Sequence, residues 1–115
     1  MNKTLFLSSL IFIYSCIHSH RVDVWKTMTI APKESIDISQ VKAPVTLEIK
    51  NLSEEKITLV SALNMPDEIS GKSDFKYRLP KKATLKLENR NTHPISIYFH
   101  YYSSHPIVVN NKELR

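Results

Sequence analysis

Histidines are the residues in this chain whose type is best suited to chemistry. There are five of them, at His18, His20, His93, His100 and His105. A copper or zinc site needs three or four such ligands to converge. His93 and His105 flank opposite ends of a strand-like stretch, so only His100 and His105 are expected to meet, across a turn. We therefore keep a metal carrier using His100 and His105 as an alternative function, and otherwise predict no metal and no cofactor.

Catalytic motifs are not found in the sequence. Glu54-Glu55 and Asp67-Glu68 are paired carboxylates, but both pairs lie in turn-like stretches where solvated pairs are common. No nucleophile elbow, zinc-protease motif or triad spacing occurs. Gly71 is the single glycine, which excludes glycine-rich phosphate loops. We predict that the protein is not an enzyme, and a small hydrolase is the least favoured alternative.

The stretch Ile95–Tyr102 carries the clearest signal for recognition. It alternates with period two, so the chain should present two different faces there. The face predicted to enter the core carries Ile95, Ile97, Phe99 and Tyr101. The opposite face carries Tyr98, His100 and Tyr102, and aromatic side chains of this kind provide contact area at low entropic cost. We predict a binding surface there, for a protein or for sugar rings; the alternative is that these rings pack against cross-strand neighbours.

A second candidate surface is basic. Residues 72–90 contain seven basic and two acidic side chains, and Arg78, Lys81 and Lys82 are its candidate binding residues. The alternative is a solvated face with edge-protecting lysines. Across the whole chain the net charge is +5 and the charges are interspersed, which is too dilute for a nucleic-acid interface.

Period-two segments predict the elements that must position these residues. They occur at 22–30, 35–39, 45–50, 56–60, 75–79, 84–88, 95–102 and 107–109. Segments 45–50 and 56–60 are expected to form one hairpin, and 75–79 and 84–88 another. Trp25, in the first segment, is expected to be a core or interface anchor. Seven or eight short strands without helical periodicity predict an all-β domain over residues 23–115, an immunoglobulin-like sandwich.

The first sixteen residues combine a basic start, an apolar run and a cysteine. Lys3 precedes the short apolar run, which ends in Ile13-Tyr14-Ser15-Cys16. This tetrapeptide resembles a lipobox, and the whole segment resembles a bacterial lipoprotein signal peptide. The resemblance implies removal of residues 1–15, a diacylglycerol on Cys16 and a lipidated tether over 16–22. Cys16 is also the only cysteine, so no intramolecular disulfide competes for it.

The expected location is the cell envelope, with attachment to a membrane through the N-terminal lipid. Ile17 does not resemble the acidic residue associated with inner-membrane retention in enteric bacteria, which favours the outer membrane on its periplasmic side. A secreted or periplasmic soluble protein is the alternative. The expected function is a lipid-anchored binding or assembly module that contacts an envelope protein or the cell wall.

Overall fold

A computed structural model of the chain describes residues 21–115 and contains ten β-strands. The signal segment, Cys16 and the greater part of the tether lie outside the described residues. In chain order the strands are β1 (Val22–Ile30), β2 (Ser35–Ser39), β3 (Val45–Asn51), β4 (Ile57–Val60), β5 (Glu68–Ile69), β6 (Asp74–Leu79), β7 (Leu85–Glu88), β8 (Ile95–Ser103), β9 (Ile107–Val109) and β10 (Lys112–Leu114).

The strands form two antiparallel sheets packed face to face, which is a β-sandwich. The four-stranded sheet has the order β1-β8-β3-β6, and the six-stranded sheet has the order β10-β9-β2-β7-β4-β5. The prediction of an all-β sandwich is confirmed, while the finer immunoglobulin-like assignment stays a prediction. Ten strands replace the expected seven or eight, because β5 and β10 have two and three residues and carry no alternating pattern. Within residues 21–115, no helix is long and apolar enough to cross a bilayer.

Alternation of apolar and polar residues decides which side of each strand enters the core. In β8 the four residues Ile95, Ile97, Phe99 and Tyr101 are at most 1% exposed, as the sequence predicts. β1 follows the same rule except at Lys26. This residue pairs with the inward-facing Phe99, so alternation predicts that it faces the core, but its side chain is exposed. β1 is an edge strand of its sheet, and an inward-phase charge on an edge strand discourages pairing with another chain.

Strand pairing differs from the predicted hairpins. β3 pairs with β6 and β8, and β4 pairs with β5 and β7, so the predicted 45–50/56–60 hairpin is wrong. β6 and β7 lie in different sheets, so the predicted 75–79/84–88 hairpin is wrong as well. Only β4–β5 and β9–β10 are pairs of consecutive strands within one sheet. The other connections cross between the sheets.

Two buried asparagines hold the loops that cross between the sheets. The Asn51 side-chain amide donates to the carbonyls of Glu55 and Ser70 at 2.7 and 3.1 Å. The Asn89 amide donates in the same way to Ile30 and His93 at 2.9 and 2.7 Å. Each asparagine also accepts a bond from the backbone N–H two residues ahead of it. These side chains therefore replace ladder hydrogen bonds where the strands end.

The hydroxyl of Tyr101 joins the two sheets near the C-terminus. It donates to the carbonyl of Leu114 in β10 and accepts from the N–H of Ile107 in β9 at 3.2 Å. Burial raises the pKa of the Tyr101 hydroxyl above its ordinary value, although the Ile107 N–H and the Arg115 charge oppose that change. The raised pKa keeps this buried hydroxyl in its neutral, donating form.

Candidate recognition surface

The candidate surface is the outer face of the four-stranded sheet. β8 lies between β1 and β3, so its outward side chains have neighbours on both sides. Cross-strand register places side chains in rows across this face. One row runs Trp25, His100, Glu48 and Lys76; the next runs Asp23, Tyr102, Thr46 and Arg78; a third runs Thr27, Tyr98, Lys50 and Asp74. We refer to these twelve residues as the outer face.

Trp25 lies at the edge of this face, with its indole stacked on His100. The two ring centroids are 3.7 Å apart and the ring planes differ by 15°. Tyr98 contacts the same indole at a tilt of 45°, with centroids 5.9 Å apart. Trp25 is nevertheless 56% exposed. Because His100 covers one side of the indole, this exposure must come from its other side and its rim.

His100 is fixed between two carboxylates. Its Nε2 is 2.6 Å from Oδ1 of Asp23, and its Nδ1 is 3.7 Å from Oε1 of Glu48. The imidazole side chain is only 17% exposed. The short contact with Asp23 therefore fixes the orientation of the ring, and the ring in turn supports the indole of Trp25.

Tyr102 extends the aromatic surface beyond His100. It is 39% exposed, and its hydroxyl accepts a hydrogen bond from Nη1 of Arg21 at 2.7 Å. The Arg21 guanidinium also lies 5.4 Å from the centre of the Tyr102 ring, within the range of a cation–π contact. The rings of Trp25, Tyr98 and Tyr102 are therefore held by neighbouring side chains and remain at least partly accessible to a partner.

Charges on this surface are unevenly compensated. The carboxylates of Asp23 and Glu48 are engaged by His100, and Lys76 lies 3.9 Å from Glu48. Arg21, Lys50 and Arg78 have no carboxylate within 4.0 Å among residues 21–115. Asp74 stands opposite Lys50 in the strand register without forming an ion pair. Four cations and three carboxylates thus lie around the aromatic rings, and three of the cations have no ion-pair partner among residues 21–115.

The structure brings some of the predicted residues together and separates others. Tyr98, His100 and Tyr102 share the outer face as predicted, and Arg78 joins them two strands away from Tyr102. Lys81 and Lys82 lie in the connection between β6 and β7 and are not part of this face. The single basic hairpin predicted over 72–90 does not exist, because its two strands belong to different sheets.

Three contributors were not predicted from the sequence: Trp25 as an exposed platform, and Asp23 and Glu48 as partners of His100. A signal for Trp25 was present. Val24 and Ile30 are buried and Val22 and Met28 are partly buried, so even-numbered positions face inward and Trp25 must face outward. Of the two roles predicted for Trp25, the core anchor is therefore wrong, and the interface anchor stays a prediction. No local signal links Asp23 to His100, which lies 77 positions later.

The histidines do not assemble a metal centre in the part of the chain that the structure describes. No group of three or more His, Cys, Asp or Glu side chains in residues 21–115 is placed to hold a metal ion. His105 follows β8 where the chain leaves for β9 in the other sheet, and its Nδ1 lies 3.0 Å from the Ser104 hydroxyl. β8 and β9 belong to different sheets, so no strand pairing places His105 opposite His100.

The six-stranded sheet offers a contrasting outer face. A shallow depression of about 460 Å³ lies there, bordered by Asp37, Val60 and Lys86 among others. None of its lining residues is aromatic. This face therefore provides matched positions for control substitutions.

No protein-family model matches this chain, and no curated protein matches it in sequence. The chemistry of the outer face is accordingly inferred from its own side chains.

Proposed function

We propose that this protein is a lipid-anchored binding module of the bacterial envelope that contacts its partner through the outer face of the four-stranded sheet. The observation that carries the proposal is the exposed indole of Trp25, stacked on a fixed His100 beside two tyrosines. Large aromatic side chains dominate binding energy at protein interfaces. Holding them in place before binding lowers the entropy cost of association.

The sandwich supports this assignment through its distribution of apolar residues. The inner faces of both sheets are packed into one hydrophobic core, so an exposed tryptophan on the outside contributes little to that core. Exposed side chains of this size are uncommon without a contact role when they cluster with other rings. The second predicted surface contained Arg78, Lys81 and Lys82. Only Arg78 lies on the outer face, where it adds a positive charge, and the two lysines lie in the connection between β6 and β7.

The proposed anchor on Cys16 would hold β1 close to the membrane. Cys16 precedes Val22 by six residues, and an extended chain spans at most about 3.6 Å per residue. An acylated Cys16 would therefore keep the first strand within roughly 22 Å of the lipid headgroups. The outer membrane, on its periplasmic side, remains the favoured location.

A comparison of variants on the two outer faces tests the binding proposal. We expect the double variant Tyr98→Ala/Tyr102→Ala, and separately Trp25→Ala, to keep a melting temperature close to that of the wild type. Each should lose about tenfold or more in affinity for the envelope component that co-purifies with the wild type, since hot-spot truncations cost ~2 kcal/mol. Val60→Ala is the matched control, because Val60 is 44% exposed on the other sheet.

The outcomes separate binding from packing. Loss of the melting transition in the double variant would show that the tyrosines stabilise the fold instead of serving recognition. Unchanged recovery of the envelope component by all outer-face variants would place the contact elsewhere and overturn the proposal.

The anchor is tested independently through Cys16. We expect mass spectrometry of the mature protein to find an acylated Cys16 at its N-terminus. Cys16→Ser should release the protein from the detergent-soluble membrane fraction, because two or more acyl chains are needed for stable attachment. A mature chain that begins at another residue and carries no lipid would refute this part of the proposal.

A further inference from the structure

The side chains around Trp25 indicate what kind of partner the outer face is suited to bind. A sugar ring presents a flat face of C–H groups that packs on an indole, surrounded by hydroxyl groups that need hydrogen-bond partners. Trp25 provides an accessible indole surface backed by His100 at 3.7 Å. Asp23 and Glu48 lie beside it with side chains 50% and 22% exposed, and carboxylate oxygens accept hydrogen bonds from hydroxyl groups.

The basic side chains near the aromatic rings indicate which class of sugar would bind best. Asp23 and Glu48 are engaged by His100, while Arg21, Lys50 and Arg78 have no carboxylate within 4.0 Å among residues 21–115. Lys50 and Arg78 lie on the outer face, and Arg21 contacts the ring of Tyr102 at its border. A ligand that stacks on the aromatic rings would therefore bind more tightly if it carried negative groups a few ångströms from its stacked ring.

We propose that the outer face binds an acidic glycan of the cell envelope, with one pyranose ring stacked on Trp25 and its anionic substituents facing Arg21, Lys50 and Arg78. This inference rests on the proposed function and specifies the class of partner. The rows of side chains continue across four strands from β1 to β6, so an extended glycan strand has a continuous surface to lie along.

A bilayer surface is the rival occupant, since tryptophan, tyrosine and basic residues also favour lipid headgroups. The position of the indole favours the glycan. It lies stacked on its neighbour instead of projecting from the sheet, which limits the depth to which it can enter a bilayer.

The single tryptophan makes the test direct. Trp25 is the only tryptophan of the chain, so every change in tryptophan emission reports on this surface. Detergent-solubilised full-length protein is titrated with peptide-free peptidoglycan glycan chains, whose muramic acid units carry carboxylates. We expect a saturable change in Trp25 emission, weaker binding in high salt, and weaker binding of neutral chitotetraose at the same sugar concentration.

Variants identify the contacts in a pelleting assay with purified cell walls. Trp25→Ala should weaken binding about tenfold or more, the factor that corresponds to 1.4 kcal/mol, and Trp25→Tyr should restore part of it by returning a ring. Lys50→Ala/Arg78→Ala should weaken binding and reduce its salt dependence. Lys86→Ala, on the opposite outer face, should bind like the wild type.

The results distinguish this inference from the function on which it rests. Emission that responds to phosphatidylglycerol vesicles but not to glycan would overturn the glycan in favour of a lipid surface. Glycan binding that Trp25→Ala leaves unchanged would overturn the stacking site. If Trp25→Ala loses a protein partner while cell walls never bind, the proposed binding module stands and the glycan inference fails.

Discussion

Replacement of Tyr101 by phenylalanine tests how the two sheets are joined at the C-terminus. The hydroxyl contacts Leu114 in β10 and the Ile107 N–H in β9, and Tyr101 itself is fully buried. Phenylalanine fills the same space without the oxygen, so no cavity of consequence forms. The substitution leaves one backbone donor and one backbone acceptor without their partner.

The expected cost of Tyr101→Phe follows from those two groups. A buried polar group that loses its partner costs about 1–3 kcal/mol, and Leu114 is only partly buried, so water can replace part of its bond. We expect a loss of about 2 kcal/mol in the free energy of unfolding at pH 7, measured by urea titration with far-UV circular dichroism. The Ile107 amide should also exchange its hydrogen faster than in the wild type.

Alkaline pH provides a second readout with a defined sign. Burial raises the pKa of Tyr101 in the folded protein, so the unfolded chain loses this proton first as the pH rises. The stabilisation is complete below the unfolded pKa near 10 and is lost as the pH rises through the folded value, with a limiting slope of about 1.4 kcal/mol per pH unit. We expect Tyr101→Phe to lose less stability than the wild type between pH 9 and pH 11.

Tyr102→Phe is the matched control, because Tyr102 is exposed and its hydroxyl contacts only the side chain of Arg21 among residues 21–115. It should keep the wild-type urea midpoint at pH 7. A Tyr101→Phe protein with the wild-type urea midpoint and unchanged Ile107 exchange would refute the proposed bridge between the sheets.

Three further substitutions test the fold. Phe99→Ala should lower the free energy of unfolding by roughly 3–5 kcal/mol in urea titration, because Phe99 is fully buried between the sheets and truncation leaves a cavity; wild-type stability would contradict its central position. Asn89→Ala should cost roughly 2–4 kcal/mol by removing bonds to Ile30, His93 and Asn91, and Asn64→Ala, whose exposed side chain makes no hydrogen bond within residues 21–115, is its control. Gly71→Ala should lower the melting temperature, since its Cβ would lie 2.0 Å from the Glu54 carbonyl oxygen, and an unchanged melting temperature would show that this loop is not closely packed.

The faces of the strands could be predicted from the sequence, because the side chains of an extended chain alternate between two sides. The inward set of β8 and the outward positions of Tyr98, His100 and Tyr102 follow from that rule alone. β5 and β10 were not predicted, because strands of two and three residues are too short to show an alternating pattern.

The partners of each strand could not be predicted in the same way. The alternation of apolar and polar residues predicts which side chains enter a core, but it does not predict which strand pairs with which. The hairpins were predicted because their strands are close along the chain, and the sandwich does not form them. The chain crosses between the sheets after most strands, and the inward faces of both sheets carry the same apolar pattern, so the pattern does not tell which sheet a strand joins.

The sequence by itself determined an all-β chain, a buried face on its strongest strand and an aromatic surface on the reverse side. The tertiary structure decided what surrounds that surface. Asp23 and Trp25 come from β1 and Glu48 comes from β3, and both strands meet at His100 only because β8 pairs between them. Such pairing is set by the register of long-range backbone hydrogen bonds and by the packing of the core, and neither is encoded within any single segment.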